Sequence, residues 1–297
     1  MKRKIIQLAK KTLVVSLPAK WVQKYNINKG DEVEIEDSGR VLKINTLSEK
    51  EDEKTTIKIL SKDHFLRRVI YTPYGMGYNE IRIEYDDPAI YYSIQNEVNN
   101  LMGFEIIKQG DGYCIARNIA QGIETEFEPS INRLFLITIG FFEDILDAVS
   151  KKEYEKMEMI RNTEDINNRL AHFCKRMLNL EKHPNNIRSR SIYMIVCLLE
   201  ETGDIAKKMC NYIIENKVMI RKENINYLKK VIEQIRMVFS LHKKFRQEDI
   251  PMYGALEKEN EKHAFELMKS PNKDNYITFC ISMVVENTKH ISQEVFE

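Results

Sequence analysis

Two pairs of acidic residues in this sequence are spaced so that the carboxylates of each pair could act together. Glu143 and Asp147 stand four positions apart, and so do Glu200 and Asp204. On a helix this spacing puts both members of a pair on one face, where like charges repel each other. A metal such as iron, zinc or manganese, held by the carboxylate oxygens, would remove that repulsion. By spacing alone, these four residues are possible ligands of a metal cation.

The same spacing also fits a solvated acidic helix face. Lys207 and Lys208 follow Asp204 closely, and Arg169 follows the further acidic pair Glu164-Asp165, so basic side chains could neutralise such carboxylates in place of a metal. Spacing alone leaves both interpretations open.

Catalytic signatures are absent from the sequence. No Gly-x-Ser-x-Gly or His-Glu-x-x-His pattern occurs, and the five cysteines form no Cys-x-x-Cys pair. Helical carboxylates could host metal-dependent hydrolysis, but no other feature points to it. We therefore expect a protein that is not an enzyme and whose cysteines are reduced and unpaired.

The first thirty residues carry the clearest asymmetry of charge. They contain eight lysines and arginines and no acidic residue, although the net charge of the whole chain is only +1. Clustered basic side chains neutralise phosphates and release counterions, which produces salt-sensitive binding to nucleic acid. The predicted DNA-binding residues are Lys2, Arg3, Lys4, Lys10, Lys11 and Lys20. A lysine-rich surface that only maintains solubility is the alternative.

Length and composition indicate the kind of protein that must position these residues. A chain of 297 residues is too long for one ordinary core, and its 43% hydrophobic and 31% charged content is typical of a folded, soluble protein. No apolar run reaches the roughly 18 residues that a membrane span needs. We expect a cytoplasmic protein without membrane insertion.

Changes of pattern along the chain predict a multi-domain protein. Residues 1–47 have short strand patterns with one helix, and residues 48–54 are a charged linker. Residues 55–127 alternate strand and helix patterns, which predicts an α+β domain of unknown role. Within it, the alternation of Ile81 and Ile83 predicts a strand from Glu80 to Tyr85, and Gly110-Asp111-Gly112 predicts a hairpin turn. Residues 128–297 carry helical periodicity throughout, which predicts an all-α bundle. Its six helices are expected from about residue 128 and at about 151–180, 187–216, 222–246, 253–269 and 273–296.

The N-terminal segment resembles the SpoVT/AbrB/MazE family. The resemblance is carried by the strand Arg3–Leu8, by Leu13–Trp21 with its Ser-Leu-Pro element, and by Ile27–Ile35 with its Gly-Asp-x-Val-x-Ile element. It covers about the first 45 residues. In that family two chains interlace their hairpins into one swapped β-barrel, and basic residues of the first hairpin face DNA. The resemblance therefore implies an AbrB-like, DNA-binding homodimer or higher oligomer.

The helical segment resembles PhoU, the family of phosphate-uptake regulators. Leu198–Lys207 is similar to the signature of that family, and Glu164–Leu170 is similar to the acidic signature on its preceding helix. PhoU proteins consist of two three-helix repeats whose acidic motifs bind metal clusters, so the resemblance also implies a metal at Glu143, Asp147, Glu200 and Asp204. The second repeat departs from the pattern, because Lys289 and His290 stand where the first has Gly203 and Asp204.

Together the resemblances imply a transcriptional regulator of phosphate homeostasis. The N-terminal domain would bind double-stranded DNA, and the helical domain would sense metal, phosphate status or a partner. One alternative is an adaptor that contacts the ATPase of a phosphate transporter, with the barrel serving only dimerisation. Another is an antitoxin, which would require a small toxin as its partner.

Overall fold

The structure is a computed structural model that describes residues 2–9, 11–37, 39, 42–46, 54–60, 65–120, 122–180, 188–269 and 271–296. The chain divides into two compact units, residues 1–53 and residues 54–297. We call them the N-terminal unit and the main unit. The predicted linker lies mostly outside the described residues, and Lys54, its last residue, already belongs to a strand of the main unit.

The N-terminal unit consists of two hairpins and one short helix. Its elements are β1 (Ile6–Ala9), β2 (Thr12–Val14), α1 (Ala19–Lys24), β3 (Val33–Asp37) and β4 (Leu42–Thr46). β1 pairs with β2 and β3 pairs with β4, both antiparallel, as two separate two-stranded sheets. Gly30 has φ +100°, a conformation that favours glycine, and it makes the turn before β3. The predicted strand-and-helix pattern of this segment is confirmed.

The main unit begins with a four-stranded sheet and two helices. These elements are β5 (Lys54–Ile59), α2 (Leu66–Gly75), β6 (Glu80–Tyr85), α3 (Tyr91–Asn99), β7 (Phe104–Gly110) and β8 (Tyr113–Asn118). The strand order is β5-β6-β8-β7, and only the β5–β6 pair is parallel because α2 provides the crossover between them. Ile81 and Ile83 of β6 alternate with half-exposed residues and join Ile70 and Ile94 of the helices in one core. This is the α+β arrangement that the sequence predicts.

A helical bundle forms the rest of the main unit. Its helices are α4 (Phe127–Lys151), α5 (Met157–Ile160), α6 (Thr163–Asn179), α7 (Ser189–Asn216), α8 (Lys222–Lys243), α9 (Ile250–Met268) and α10 (Asn275–Phe296). α4 packs on α6 and α7, while α10 packs on α8 and α9, and the two groups meet through α7 with α10 and α4 with α8. No helix of the described part of the chain is long and apolar enough to cross a membrane.

The second predicted helix, about 151–180, is wrong as a single element. Lys152 takes a left-handed conformation with φ +62°, and Glu153 N–H donates to the carbonyl of Ala148, so α4 ends there. A 3-10 turn, the short α5 and a tight turn at Arg161 and Asn162 precede α6.

Polar side chains form a layer halfway along the bundle. One apolar cluster contains Phe142, Ile205 and Ile281, and a second cluster contains Phe135 and Leu199. Between the clusters, each of three long helices carries buried polar residues, namely Thr138 on α4, Thr202 on α7, and Asn287 and Thr288 on α10. Asn287 Nδ2 donates to Thr202 Oγ1 at 3.3 Å. The predicted carboxylate pair of α7 therefore lies at the level of this polar layer.

Candidate functional site

The basic residues of the N-terminal unit are all accessible where the structure describes them. Lys2, Arg3 and Lys4 precede β1, Lys11 lies in the turn between β1 and β2, and Lys20 lies on α1, and all five are exposed. Lys10 lies outside the described residues. Because the first acidic residue is Asp31, this hairpin and helix present positive charge without a competing carboxylate from their own sequence.

The same hairpins expose apolar residues that a folded protein normally buries. Leu8 is 73% exposed and Leu13 is 66% exposed, and Ile35 and Leu42 of the second hairpin are also exposed. None of the side chains described in the N-terminal unit is buried. A two-stranded hairpin is marginally stable by itself in water, so this unit needs an apolar partner to become stable.

The two carboxylates of α4 already have basic partners. Glu143 forms an ion pair with Arg236 of α8, and Asp147 Oδ1 lies 2.8 Å from Lys151 Nζ one turn along α4. Glu143 therefore faces a helix that carries neither Glu200 nor Asp204. Partly exposed ion pairs such as these are the solvated arrangement that the spacing left open.

The two carboxylates of α7 lie in a less solvated setting. Glu200 forms an ion pair with Lys175 of α6, and His172 Nε2 lies 3.5 Å from its Oε1. Burial lowers the pKa of His172 to about 3, so this imidazole is neutral at pH 7. Burial, followed by the nearby charges of Glu164 and Glu200, raises the pKa of Asp204 to about 6.

Ion pairs already engage most of these carboxylates in the arrangement described. Three of the four hold a basic side chain, which a metal ion would have to displace. Among the described residues, no three histidine, cysteine, aspartate or glutamate side chains are grouped to hold a metal ion. Metal binding stays a prediction, and its direct test is elemental analysis.

A buried ionic cluster joins the α+β segment to the bundle, and we call it the Glu164 cluster. Glu164 of α6 is 4% exposed and accepts from Asn168 Nδ2 at 2.5 Å and from Lys207 Nζ at 2.8 Å. Nη1 of Arg67, on α2, lies 3.8 Å from Glu164 Oε1 and 3.9 Å from Asp165 Oδ1. Burial acts to raise the pKa of Glu164, but Lys207 and Arg67 outweigh burial and the net pKa is lowered. The carboxylate is therefore charged at neutral pH.

Arg176 of α6 makes the second connection, which the sequence did not predict. Its guanidinium donates to the carbonyls of Tyr74 at 2.6 Å and Tyr78 at 2.9 Å, and to Asn79 Oδ1 at 2.8 Å. The cation lies where α2 ends, so it satisfies a carbonyl of the last turn and complements the negative end of the helix dipole. Asn179 Nδ2 also donates to the carbonyl of Gly75 at 2.8 Å. α6 thus holds the end of α2.

Gly203 allows α6 and α7 to approach each other within the polar layer. A Cβ added at Gly203 would lie 2.8 Å from Asn167 Cγ. Asn167 is fully buried and donates to Thr138 Oγ1 at 2.8 Å. In the sequence, a glycine inside a strongly helical pattern signals that something unusual happens at this position. The structure supplies the reason, which is the close packing of α7 on Asn167 of α6.

The comparisons with known proteins match one part of the chain. Residues 6–53 match the family model described as "Antidote-toxin recognition MazE, bacterial antitoxin". This span covers most of the N-terminal unit. No curated protein and no solved structure was found to match.

Proposed function

We propose that this protein is a DNA-binding transcriptional regulator that acts as a homodimer or higher oligomer through its N-terminal unit. The observation that carries the proposal is the acid-free basic surface of the first hairpin and α1, combined with the exposed leucines and isoleucines of both hairpins. The match of residues 6–53 to the MazE family model supports the same assignment.

Dimerisation follows from the lack of an interior in the N-terminal unit. The apolar side chains of β1 to β4 lose little contact with water within the N-terminal unit, and we infer that a second molecule buries them. A second copy supplies an identical unit, and interlaced hairpins would bury the apolar faces of both chains. Because the basic residues lie before, between and after the first strands, dimerisation would place two copies of the basic surface on one particle.

DNA binding follows from the basic surface. Lys2, Arg3, Lys4, Lys11 and Lys20 are exposed, and Lys10 adjoins them in the sequence. A two-fold protein would favour a two-fold operator, and phosphate contacts from both copies would make the affinity depend steeply on salt.

We further propose that the main unit senses a signal and performs no catalysis. Support comes from the resemblance of Leu198–Lys207 to PhoU and from the position of that segment on α7, beside the Glu164 cluster. Lys207 belongs to the resembling segment and donates to Glu164 at 2.8 Å. A signal that alters this cluster, such as phosphate status, a metal or a partner, would also act on α2 through Arg67. This scheme places the protein in the cytoplasm as a regulator of phosphate uptake.

The test of DNA binding is an electrophoretic mobility shift with the full chain on DNA from its own control region. We expect a shift that resists excess unrelated DNA and that is lost in the double variant Arg3→Ala with Lys11→Ala. Lys229→Ala, an exposed lysine of α8, is the matched control and should shift as the wild type does. Loss of the shift in both variants, or no shift with any fragment, contradicts the proposal.

The phosphate assignment needs a separate test. Occupancy of the genome by the tagged protein, compared at high and low phosphate, should change at genes for phosphate uptake. Unchanged occupancy at those genes would refute the phosphate assignment while leaving DNA binding intact.

Toxin recognition is a second candidate, because the matching family model is described as an antitoxin. It predicts a small protein that co-purifies with the full chain and inhibits growth when expressed alone. The transporter adaptor predicts instead that the chain binds a phosphate-transporter ATPase while specific DNA binding is absent.

A further inference from the structure

An apolar surface on α9 and α10 of the main unit remains exposed, and we call it the α9–α10 face. Phe265 is 69% exposed and Phe279 is 49% exposed, and Met268 and Tyr276 are exposed as well. Phe265 and Met268 stand three positions apart on α9, as Tyr276 and Phe279 do on α10, so each pair lies on one side of its helix. Single apolar side chains are normal on a surface, whereas a group of them on two packed helices marks a contact with another molecule.

The α9–α10 face carries both a protruding side chain and a recess. Phe265 protrudes from α9, and Ala264, the residue before it, lines a groove of about 600 Å³ together with Phe279 and Met283. A two-fold interface between identical copies requires a protrusion and a recess on the same surface, because each copy gives and receives the same contact. The shape of this face is therefore suited to a second copy of itself.

The charges of α9 also match a second copy in antiparallel orientation. If two α9 helices cross antiparallel with Phe265 at the two-fold axis, Glu261 of one copy lies opposite Lys269 of the other, because each stands four positions from Phe265. Within one copy, Lys269 Nζ lies 2.8 Å from Glu266 Oε1, but both side chains are more than half exposed, so this pair costs little to exchange. Glu261 Oε1 lies 2.7 Å from Lys289 Nζ and its side chain is still 40% exposed, so it can accept from a second cation.

The exposed apolar area agrees with what a stable interface needs. At about 200 Å² for a whole side chain of this size, the exposed parts of Phe265, Met268, Tyr276 and Phe279 amount to roughly 400 Å². A standard interface covers about 800 Å² on each partner, of which a little more than half is apolar. These four side chains supply that apolar share, and the lysines and glutamates of α9 supply a polar rim.

We propose that the α9–α10 face binds a second copy of this chain, with the two α9 helices antiparallel about Phe265. This contact rests on the dimer proposed above, because joined N-terminal units hold two main units at a high effective concentration. An unrelated partner would need its own matching pattern of acid and base, which a second copy carries by identity. The contact would couple the two helical bundles of one dimer.

The test is disulfide cross-linking of the full chain at the two-fold axis. Phe265→Cys puts one new thiol on each side of the axis, where a disulfide can close. Under mild oxidation at low protein concentration, we expect a covalent dimer on non-reducing gels to form roughly tenfold faster than in Met252→Cys. Met252 is the matched control, because it is 61% exposed on the same helix but lies outside the face. The wild type corrects for the five native cysteines.

Charge reversal tests the antiparallel orientation. In the Phe265→Cys background, Glu261→Lys or Lys269→Glu alone puts like charges opposite each other and should slow cross-linking roughly threefold or more. Combining the two substitutions restores opposite charges and should recover the rate. Lys229→Glu, at an exposed lysine of α8, makes the same change of charge as Lys269→Glu and should leave the rate unchanged.

Two results of the cross-linking would overturn the proposal. One is a covalent dimer that forms no faster in Phe265→Cys than in Met252→Cys, and the other is a double charge variant as slow as the single ones. Because Phe265 is exposed, Phe265→Cys should keep the Tm of the wild type, so slow cross-linking cannot be assigned to misfolding. Sedimentation separates the two interfaces. A chain that sediments as a dimer without cross-linking refutes the α9–α10 contact alone, whereas a monomeric wild type refutes the dimer on which it rests.

Discussion

Replacing Arg176 tests whether the α+β segment and the bundle are held together as the structure describes. The guanidinium is 1% exposed and donates three hydrogen bonds at 2.6, 2.9 and 2.8 Å to oxygens of Tyr74, Tyr78 and Asn79. Arg176→Met keeps much of the side-chain volume and removes every donor. The carbonyl of Tyr78 and the amide oxygen of Asn79 then lose the bonds that the guanidinium donates.

The expected loss of stability follows from two opposing terms. Three hydrogen bonds from a charged donor are worth about 1.5–3 kcal/mol each. Burial of the guanidinium costs several kcal/mol, and it also lowers the pKa of Arg176. The difference predicts that Arg176→Met lowers the free energy of unfolding by about 2–4 kcal/mol. Arg176→Lys should also be destabilising, because an ammonium cannot reproduce the planar fork of donors.

Urea unfolding followed by circular dichroism measures this loss, and hydrogen exchange locates it. Exchange should accelerate in α2 and at the start of β6, while the interior of α8 stays protected. Arg169→Met on the same helix is the matched control, because Arg169 is exposed and should change stability by less than about 0.5 kcal/mol. An Arg176→Met protein as stable as this control, with unchanged exchange in α2, would refute the reasoning.

Three further predictions concern the polar layer and the carboxylates. Gly203→Ala should destabilise the protein by about 1–3 kcal/mol in thermal unfolding, because the new methyl group would overlap Asn167. Unchanged stability would mean that α6 and α7 can move apart freely. Asp204 has a pKa of about 6 against an ordinary value of 3.8, so its contribution to stability falls as pH rises from about 4 to 6. Asp204→Asn should remove that dependence and stabilise the protein by about 1 kcal/mol at pH 7, after discounting for partial exposure; an unchanged pH profile would contradict the assigned pKa. Elemental analysis of protein purified without chelator should show iron, zinc or manganese that decreases in the double variant Glu200→Ala with Asp204→Ala, and equal metal content in both proteins would rule out these ligands.

Local patterns predicted much of the fold. The alternation of Ile81 and Ile83 predicted β6 with its observed bounds, Glu80–Tyr85, and Gly110-Asp111-Gly112 predicted the turn between β7 and β8. The helix-breaking residues Asp249-Ile250-Pro251 predicted that α9 would begin at about residue 253. The helix begins at Ile250 instead, because proline fits the first turn of a helix. These features depend on neighbouring residues, so a single sequence contains them.

Long-range partners could not be predicted in the same way. The four-residue spacing indicated that each carboxylate pair shares a helix face. It did not indicate that Glu143 would pair with Arg236 of α8, or Glu200 with Lys175 of α6. The break before α6 was missed because Met157 and Ile160 continue the apolar periodicity.

The most direct test of the central claim is the salt dependence of DNA affinity for the full chain. Fluorescence anisotropy on its own control region should give a Kd that rises steeply between about 50 and 200 mM salt. For a two-fold complex, Arg3→Ala should reduce the slope of log Kd against log salt concentration by roughly 2, because each lost phosphate contact contributes about 0.9 and two are lost. Lys229→Ala should leave the slope unchanged. An affinity that does not vary with salt, or a slope that is the same in the wild type and in Arg3→Ala combined with Lys11→Ala, would contradict the account.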